Sequence, residues 1–250
     1  MTPAVGLTRH VTGVGEPVVL VHGTSADHLT FRLVAPLLEP HHIVVTVDRR
    51  GYLTSPDTAP YRLHDEFADL VAVLADLGGR PAVLGHSFGA TVALGAALAG
   101  APVGPMVLYE PPLPAAITPA LIADLEALGV ADDRAGILEL VLRRFASFDD
   151  ADVEAFRASD LWLPRLITAP SVVRELVALS AWRPGDLSAV TMPVTVLVGG
   201  RSAAPDRARW RALADALPNG RIEVMPDQGH VATATSPELV AGALLDLTGA

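Results

Sequence analysis

Residues 81–91 read Pro-Ala-Val-Leu-Gly-His-Ser-Phe-Gly-Ala-Thr, a pattern typical of a buried strand, a tight turn and a helix. The apolar residues 82–84 predict the strand, and the Ala-rich run 90–99 predicts the helix. Ser87 falls in the turn between them, with a glycine two residues away on either side. Because side chains at those two positions would crowd the turn, the glycines favour a sharp bend that presents Ser87. The helix would direct its free N–H groups and positive dipole end at Ser87, which would stabilise negative charge forming there.

Short apolar runs alternate with amphipathic helical patterns on both sides of this stretch. Such an alternation favours an α/β fold with a mostly parallel sheet that helices cover on both faces. The other predicted strands are 18–21, 43–47, 106–109, 194–198 and 221–225. The other predicted helices around the sheet are 29–38, 65–77, 205–217 and 237–247.

Polar side chains come after several of the predicted strands, either directly or in the following loop. His22, Asp48, Glu110 and His230 follow four of them, as Ser87 follows the strand at 82–84. The carboxyl ends of parallel strands lie at one edge of a sheet, and ligands bind at that edge in such folds. We therefore expect these side chains, which are far apart in the sequence, to converge on one site.

The segment 113–186 breaks the alternation of strands and helices. It contains helical patches at 119–128, 135–145 and 171–182 and no clear strand. We therefore predict a core formed by residues 1–112 and 187–250, with residues 113–186 inserted as a helical cap. The cap is rich in aromatic residues, most of which we expect to pack in its own core or between the cap and the sheet. For the wall of an apolar substrate pocket, the one residue that we predict is Trp162.

Composition narrows the possible functions. The chain has 250 residues, half of them hydrophobic, which is enough for one domain with a large core. Its net charge of −10 argues against nucleic acid or an anionic membrane as the main partner. All 18 basic residues are arginine, so lysine nucleophiles and Schiff bases are excluded. The absence of cysteine excludes disulfides, thiol nucleophiles and cysteine metal sites.

The sequence does not predict a secretory signal or a membrane span. Residues 1–10 lack an apolar core after a basic start, so we expect a cytoplasmic protein. Residues 87–109 carry no charge, but glycines and prolines divide them into a helix, a turn and a strand. A spanning helix would need about 20 continuous apolar residues.

Four motifs occur in a fixed order along the chain. They are His22-Gly23, Asp48-Arg49-Arg50-Gly51, Gly85-His86-Ser87-Phe88-Gly89 and Gly229-His230. With these motifs the chain resembles the α/β-hydrolase family over nearly its whole length outside the cap, in which the sharp turn at the serine is called the nucleophile elbow. It resembles most of all small bacterial members with a Tyr-Glu-Pro-Pro stretch after the strand following the elbow. This resemblance implies the α/β-hydrolase fold and hydrolysis of esters, lactones, amides, epoxides or carbon–carbon bonds, although some members catalyse no hydrolysis.

The resemblance also implies roles for individual residues. Ser87 would be the nucleophile, and His230 the general base that takes its proton and returns it to the leaving group. The backbone N–H groups of Thr24 and Phe88 would form the oxyanion hole. His22 would support the loop that carries Thr24. A serine at the elbow argues against the dehalogenase and epoxide hydrolase branches, which by family pattern have aspartate there.

The triad acid is the position at which this sequence departs from the family pattern. By resemblance the acid usually follows the strand that ends near residue 198, where this chain has Ser202. Some members carry the acid after the strand that follows the elbow, and Glu110 lies at that point, before two prolines that would stiffen its turn. We predict Glu110 as the acid, since it keeps the chain order Ser, acid, His. The alternative is Asp206, although the dipole of its predicted helix favours an acid there without any catalytic role.

Together these features predict a serine hydrolase of esters, lactones or thioesters of fairly apolar small molecules, without cofactor or metal. Two alternatives stay open from the sequence. The same pocket would suit a non-hydrolytic reaction such as a cyclisation, an elimination or a cofactor-free oxygenation. A binding protein on a hydrolase scaffold is the other alternative, although the intact Ser87 and His230 count against it. The sequence does not indicate an oligomeric state.

Overall fold

A seven-stranded sheet organises residues 6–250, the range that the computed structural model describes. Residues 1–5, part of the segment in which no secretory signal is predicted, lie outside this range. No helix between residues 6 and 250 is long and apolar enough to cross a bilayer. The strands are β1 Arg9–Gly13, β2 Glu16–Val21, β3 His42–Val47, β4 Ala82–His86, β5 Met106–Tyr109, β6 Val194–Gly199 and β7 Gly220–Met225.

The strands lie in the order β1-β3-β2-β4-β5-β6-β7. Strand β1 pairs antiparallel with β3, and every other neighbouring pair is parallel. The mostly parallel sheet predicted from the sequence is therefore confirmed. The apolar pattern does not predict β1, because this edge strand is exposed at nearly every position and has no apolar run.

Ten α-helices accompany the sheet within the described range. Two differ clearly from the prediction. The helix predicted at 29–38 is a 3-10 turn followed by short α1, because Pro36 has no N–H with which to continue a helix from the preceding turn. Helix α7 starts well before residue 171 and carries Pro170 in its interior. The helices are α1 Ala35–Leu38, α2 Leu63–Leu77, α3 Phe88–Leu98, α4 Pro119–Val130, α5 Arg134–Phe145, α6 Asp150–Arg157, α7 Trp162–Ala181, α8 Ala204–Ala216, α9 Ala232–Thr235 and α10 Pro237–Thr248.

Helices cover both faces of the sheet, as strand β2 shows. Val19 and Val21 pack in one core cluster with side chains of α2, α3 and α8. Val18 and Leu20 pack in a second cluster with α1 and α10. Successive side chains of a strand point to opposite faces, so an unbroken apolar strand must be buried on both sides. Each such buried side chain contributes about 1.5–3 kcal/mol to stability.

Helices α4 to α7 fill the chain between β5 and β6, in the stretch predicted as a cap. The predicted fold class, a mostly parallel sheet with helices on both faces and a helical insertion, is confirmed. Helix α6 was not predicted, because its eight residues carry too few apolar positions to stand out. The boundaries of the cap at residues 113 and 186 stay a prediction.

Candidate active site

Ser87 lies in a strained turn between β4 and α3. Its backbone has φ 53° and ψ −125°, a conformation that a residue with a side chain rarely adopts and that costs about 1–3 kcal/mol. A Cβ at Gly85 would lie 2.5 Å from Ala90 Cα, and one at Gly89 would lie 2.1 Å from the carbonyl oxygen of Val21. Only glycine fits at these two positions, so the spacing that led to the sequence prediction has a steric cause.

His230 and Glu110 contact each other across the edge of the sheet. The two atoms His230 Nδ1 and Glu110 Oε2 are 2.7 Å apart, although the residues are far apart in sequence. Glu110 follows β5 and His230 follows β7, so the strand ends bring them together. A carboxylate accepts, so Nδ1 carries a proton, and in the neutral imidazole with this tautomer Nε2 has a free lone pair. An imidazole in this tautomer can take a proton from a neighbouring hydroxyl.

The second oxygen of Glu110 is held from the neighbouring strand. Glu110 Oε1 accepts hydrogen bonds from the backbone N–H of Gly199 at 2.7 Å and from Ser202 Oγ at 2.5 Å. Ser202, at the position where the family usually has its acid, thus orients the carboxylate of Glu110. The alternative acid, Asp206, lies in the first turn of α8 and pairs with Arg144 at 3.1 Å and with Arg209.

The peptide between Gly23 and Thr24 is fixed by His22. The Nδ1–H of His22 donates to the Gly23 carbonyl at 2.8 Å, while its Nε2 accepts from the Arg49 N–H at 3.0 Å. Burial and the charge of Arg49 lower the pKa of His22 well below its ordinary value, so the ring is neutral. Because a trans peptide points its C=O and N–H in opposite directions, the Thr24 N–H points away from His22. Thr24 lines the cavity that holds Ser87.

Neither of the two amides predicted for the oxyanion hole has an acceptor within the described chain. Phe88 begins α3, so its N–H has no partner in the helix, and the Thr24 N–H lies outside any helix or strand. Both residues line the cavity beside Ser87. Two free donors beside one hydroxyl can stabilise an oxyanion.

A buried ion network ties the cap to this loop. The Arg49 guanidinium pairs with Glu66 at 2.9 Å and with Glu175 of α7 at 2.7 Å. It also donates to the Gly23 carbonyl at 3.2 Å. Tyr52 joins the network by donating to Glu175 at 2.8 Å. Burying these charges is tolerable only because they are paired, so the network fixes α7 relative to the loop.

An apolar cavity of about 70 Å³ lies beside Ser87 and His230 and adjoins a wider cleft of about 640 Å³. Phe145 and Phe156 line the inner cavity. Trp162, predicted for the wall, is not among the residues that line either space. It packs behind Phe156, with 6.2 Å between the ring centroids.

The comparison with protein families agrees with this geometry. A model of the Alpha/beta hydrolase family matches residues 18–243. The chain belongs to the α/β hydrolase family. The resemblance found in the sequence is therefore confirmed, and the protein is a hydrolase-type enzyme.

The known proteins to which this chain is similar differ widely in length and name. Polyketide synthase ThaQ from Burkholderia thailandensis is 27% identical over 93% of this chain, but the match spans 12% of that protein. N-formylmaleamate deformylase from Pseudomonas putida is 27% identical over 90% of this chain and 87% of its own length. The solved structure of an α/β hydrolase from Sphaerobacter thermophilus has a TM-score of 0.85, 27% identity and coverage of 97% of this chain and 96% of its own.

Two side chains that the sequence did not single out hold the loop of His230 in this α/β hydrolase. The Tyr109 hydroxyl donates to the carbonyl of Gly229 and accepts from the Ala232 N–H. The Nε2–H of His86 donates to the His230 carbonyl at 2.9 Å. Both residues belong to motifs quoted above and lie at the end of a strand. That position is the feature of the sequence from which their role could have been predicted.

A separate group of possible metal ligands lies near the β1 edge of the sheet. Asp48 accepts from the backbone N–H of His28 at 3.0 Å and from its ring at 2.9 Å. His10 stacks on His28 with ring centroids 3.7 Å apart. Within residues 6–250 the group comprises these three side chains, and Ser87 and His230 are outside it.

The buried histidines predict a loss of stability in mild acid. Burial and, next, the charge of His230 lower the pKa of His86 well below its ordinary value, and burial lowers that of His22 similarly. Below pH about 6.5 the unfolded chain binds protons on these two histidines, whereas the folded chain keeps both rings neutral. The free energy of unfolding should therefore fall as the pH falls. Each ring contributes up to about 1.4 kcal/mol per pH unit to the slope of the free energy of unfolding against pH. Urea unfolding between pH 5.0 and 7.5 measures this slope.

The variant His86→Gln isolates one of the two contributions. It keeps a donor for the His230 carbonyl, and its slope should be smaller than that of the wild type by up to about 1.4 kcal/mol per pH unit. The matched control is His64→Gln at an exposed position, which should leave the slope unchanged. Equal slopes in wild type and His86→Gln would contradict a neutral His86.

Proposed function

We propose that this enzyme is a cofactor-independent serine hydrolase that acts on an ester, lactone or thioester of a fairly apolar small molecule. The observation that carries the proposal is the 2.7 Å contact between His230 and Glu110 beside a cavity that contains Ser87. The strained turn at Ser87 and the two free amides support it. The cytoplasmic location and the absence of nucleic-acid and membrane partners stay predictions.

Acylation would begin at the Ser87 hydroxyl. Its oxygen attacks the carbonyl carbon of the substrate while its proton passes to His230 Nε2. The carbonyl oxygen becomes an oxyanion that the N–H groups of Thr24 and Phe88 stabilise. Glu110 stabilises the imidazolium through Nδ1. Collapse of the intermediate breaks the bond to the leaving group, which departs with the proton from Nε2, and Ser87 is left acylated.

Deacylation would repeat these steps with water. His230 Nε2 takes a proton from water, the resulting hydroxide attacks the acyl carbon, and the same amides stabilise the second oxyanion. Collapse releases the acid and returns the proton to Ser87. No electron transfer occurs, so the reaction needs no redox cofactor.

Labelling with a fluorophosphonate probe tests the proposal, because only an activated serine reacts fast. We expect one adduct by intact-mass spectrometry, located by peptide mapping at Ser87 and absent in Ser87→Ala. A folded protein that is not labelled, or labelling that persists in Ser87→Ala, would count against the proposal. The non-hydrolytic alternative, with Ser87 only as a hydrogen-bond donor, would then be preferred.

The aromatic wall of the inner cavity should set the length of the acyl chain. Phe156→Ala is expected to raise the preference for hexanoate over acetate esters by about tenfold, because two extra buried methylenes are worth about 0.8 kcal/mol each. The ratio of kcat/KM values for the two p-nitrophenyl esters measures it.

Trp162→Ala is the matched comparison for Phe156→Ala, since Trp162 packs behind Phe156 without lining the cavity. We expect a smaller change in the hexanoate-to-acetate ratio than in Phe156→Ala. A larger change in Trp162→Ala would restore Trp162 as the wall residue predicted from the sequence.

A further inference from the structure

Arg165 of α7 reaches from the cap into the catalytic cavity. Its Nη1 donates to the backbone carbonyl of Ser25 at 2.8 Å, and its own carbonyl accepts from Ser25 Oγ at 2.8 Å. A guanidinium carries five N–H donors, and this is the single hydrogen bond that Arg165 donates from its side chain within the described part of the chain. Its Nε is buried and has no partner.

The two fully buried arginines of this protein are paired with carboxylates. Arg49 pairs with Glu66 and Glu175, and Arg50 pairs with Asp69. Arg165 is half-buried and has no carboxylate within 4.0 Å among residues 6–250, although Asp27 acts on it from farther away and its guanidinium carbon lies 5.7 Å from the centre of the Phe156 ring. A partly buried charge without a carboxylate partner costs free energy, so this arginine lacks the compensation that the fold gives the other two.

Arg165 lines the same cavity as Ser87 and His230. No other arginine, and no lysine, aspartate or glutamate, is among the residues that line the inner cavity in the described part of the chain. Most of the other lining residues are apolar. It also lines the adjoining cleft, so it lies where the two spaces meet. A group bound to Arg165 would therefore be close to Ser87 and His230. One cation in an apolar surrounding suits a single anionic charge.

We propose that Arg165 binds a carboxylate of the substrate, so that the preferred substrates are esters or lactones that carry a carboxylate near the reacting carbonyl. A planar carboxylate matches the fork of a guanidinium and would satisfy the donors that the protein leaves free. This assignment rests on the proposed hydrolase function and specifies in addition that the substrate carries a negative charge.

Matched pairs of substrates test the proposal, one for each side of the ester. Monomethyl and dimethyl fumarate differ by a carboxylate on the acyl side, and 3-carboxyphenyl and 3-carbamoylphenyl acetate differ by one on the alcohol side. In at least one pair, wild-type kcat/KM should favour the anionic substrate by about tenfold or more, as expected for hydrogen bonds to a charged group. Arg165→Gln should abolish that preference, and Arg165→Lys should keep part of it.

The ratio within a pair is independent of how much active enzyme a variant yields. Arg32→Gln, which removes an arginine from the outer cleft, is the control for long-range charge and should keep the ratio within about twofold. If Arg165→Gln lowers the rates of both members of each pair equally, Arg165 is only a clamp between α7 and Ser25, and the proposal is overturned.

Binding to Ser87→Ala separates this proposal from the proposed function. Calorimetry with monomethyl fumarate and 3-carboxyphenyl acetate should show a Kd that rises about tenfold or more when Arg165→Gln is added to Ser87→Ala. If Ser87 is not labelled by fluorophosphonate and no ester is hydrolysed, the hydrolase proposal fails, and this Kd alone decides on Arg165. An unchanged Kd would overturn the carboxylate site.

Discussion

Ser87→Ala is expected to lower kcat/KM for a short-chain aryl ester by at least about a thousandfold while the protein folds as the wild type does. Without the hydroxyl no acyl-enzyme forms, and only the oxyanion amides and substrate binding would still assist the reaction. Alanine keeps the Cβ, so the backbone conformation at φ 53° is no more strained than before. Steady-state kinetics on p-nitrophenyl acetate, with the thermal unfolding midpoint as a check on folding, measures both parts.

Ser55→Ala is the matched control, because Ser55 is as well buried as Ser87 but lies outside the cavity. Ser55 Oγ donates to the Asp48 carbonyl at 2.6 Å, so this variant should lose some stability and keep its rate within a few-fold. If Ser87→Ala retains a rate close to that of the wild type, Ser87 is not the nucleophile.

The sequence carries the architecture of the sheet because each buried strand is an unbroken apolar run. Strand β5 starts and ends at the predicted residues, and the other predicted strands differ by one or two positions. Strand β1 escapes prediction, since an exposed edge strand needs no apolar residues. The long helix α7 was truncated in the prediction because Pro170 normally ends a helix, whereas packing on the core keeps this helix continuous.

The candidate site also has residues that the sequence predicts and residues that it does not. Ser87, Glu110 and His230 each follow a strand, and topology alone brings such positions to one edge. Arg165 lies in the first turn of α7 with no local pattern that marks it, and its direction depends on how α7 packs over the sheet. The cavity wall is a second example: Phe156 lines the cavity, whereas the sequence prediction was Trp162. Composition reveals a cap rich in aromatic residues but not which ring faces the cavity.

Glu110→Gln should lower kcat/KM by at least about a hundredfold, in line with the loss of about four orders of magnitude when another triad acid becomes an amide. The Gly199 N–H can only donate, so the amide oxygen of the new side chain should stay on it, which turns the NH₂ group toward His230 Nδ1. Two donors cannot share a hydrogen bond. His230 would then carry its proton on Nε2, the atom that must accept the proton of Ser87, and the imidazolium would lose its counter-charge.

Asp206→Asn is the comparison that decides between the two candidate acids. Asp206 already pairs with Arg144 and Arg209 and makes no contact with His230 in the described chain, so its loss should change kcat/KM by no more than a few-fold. Circular dichroism and the thermal midpoint of both variants establish that each is folded before rates are compared. In Glu110→Gln, labelling of Ser87 by fluorophosphonate should slow in parallel with ester hydrolysis, because both need the same base. A larger loss of rate in Asp206→Asn than in Glu110→Gln would move the triad acid to Asp206.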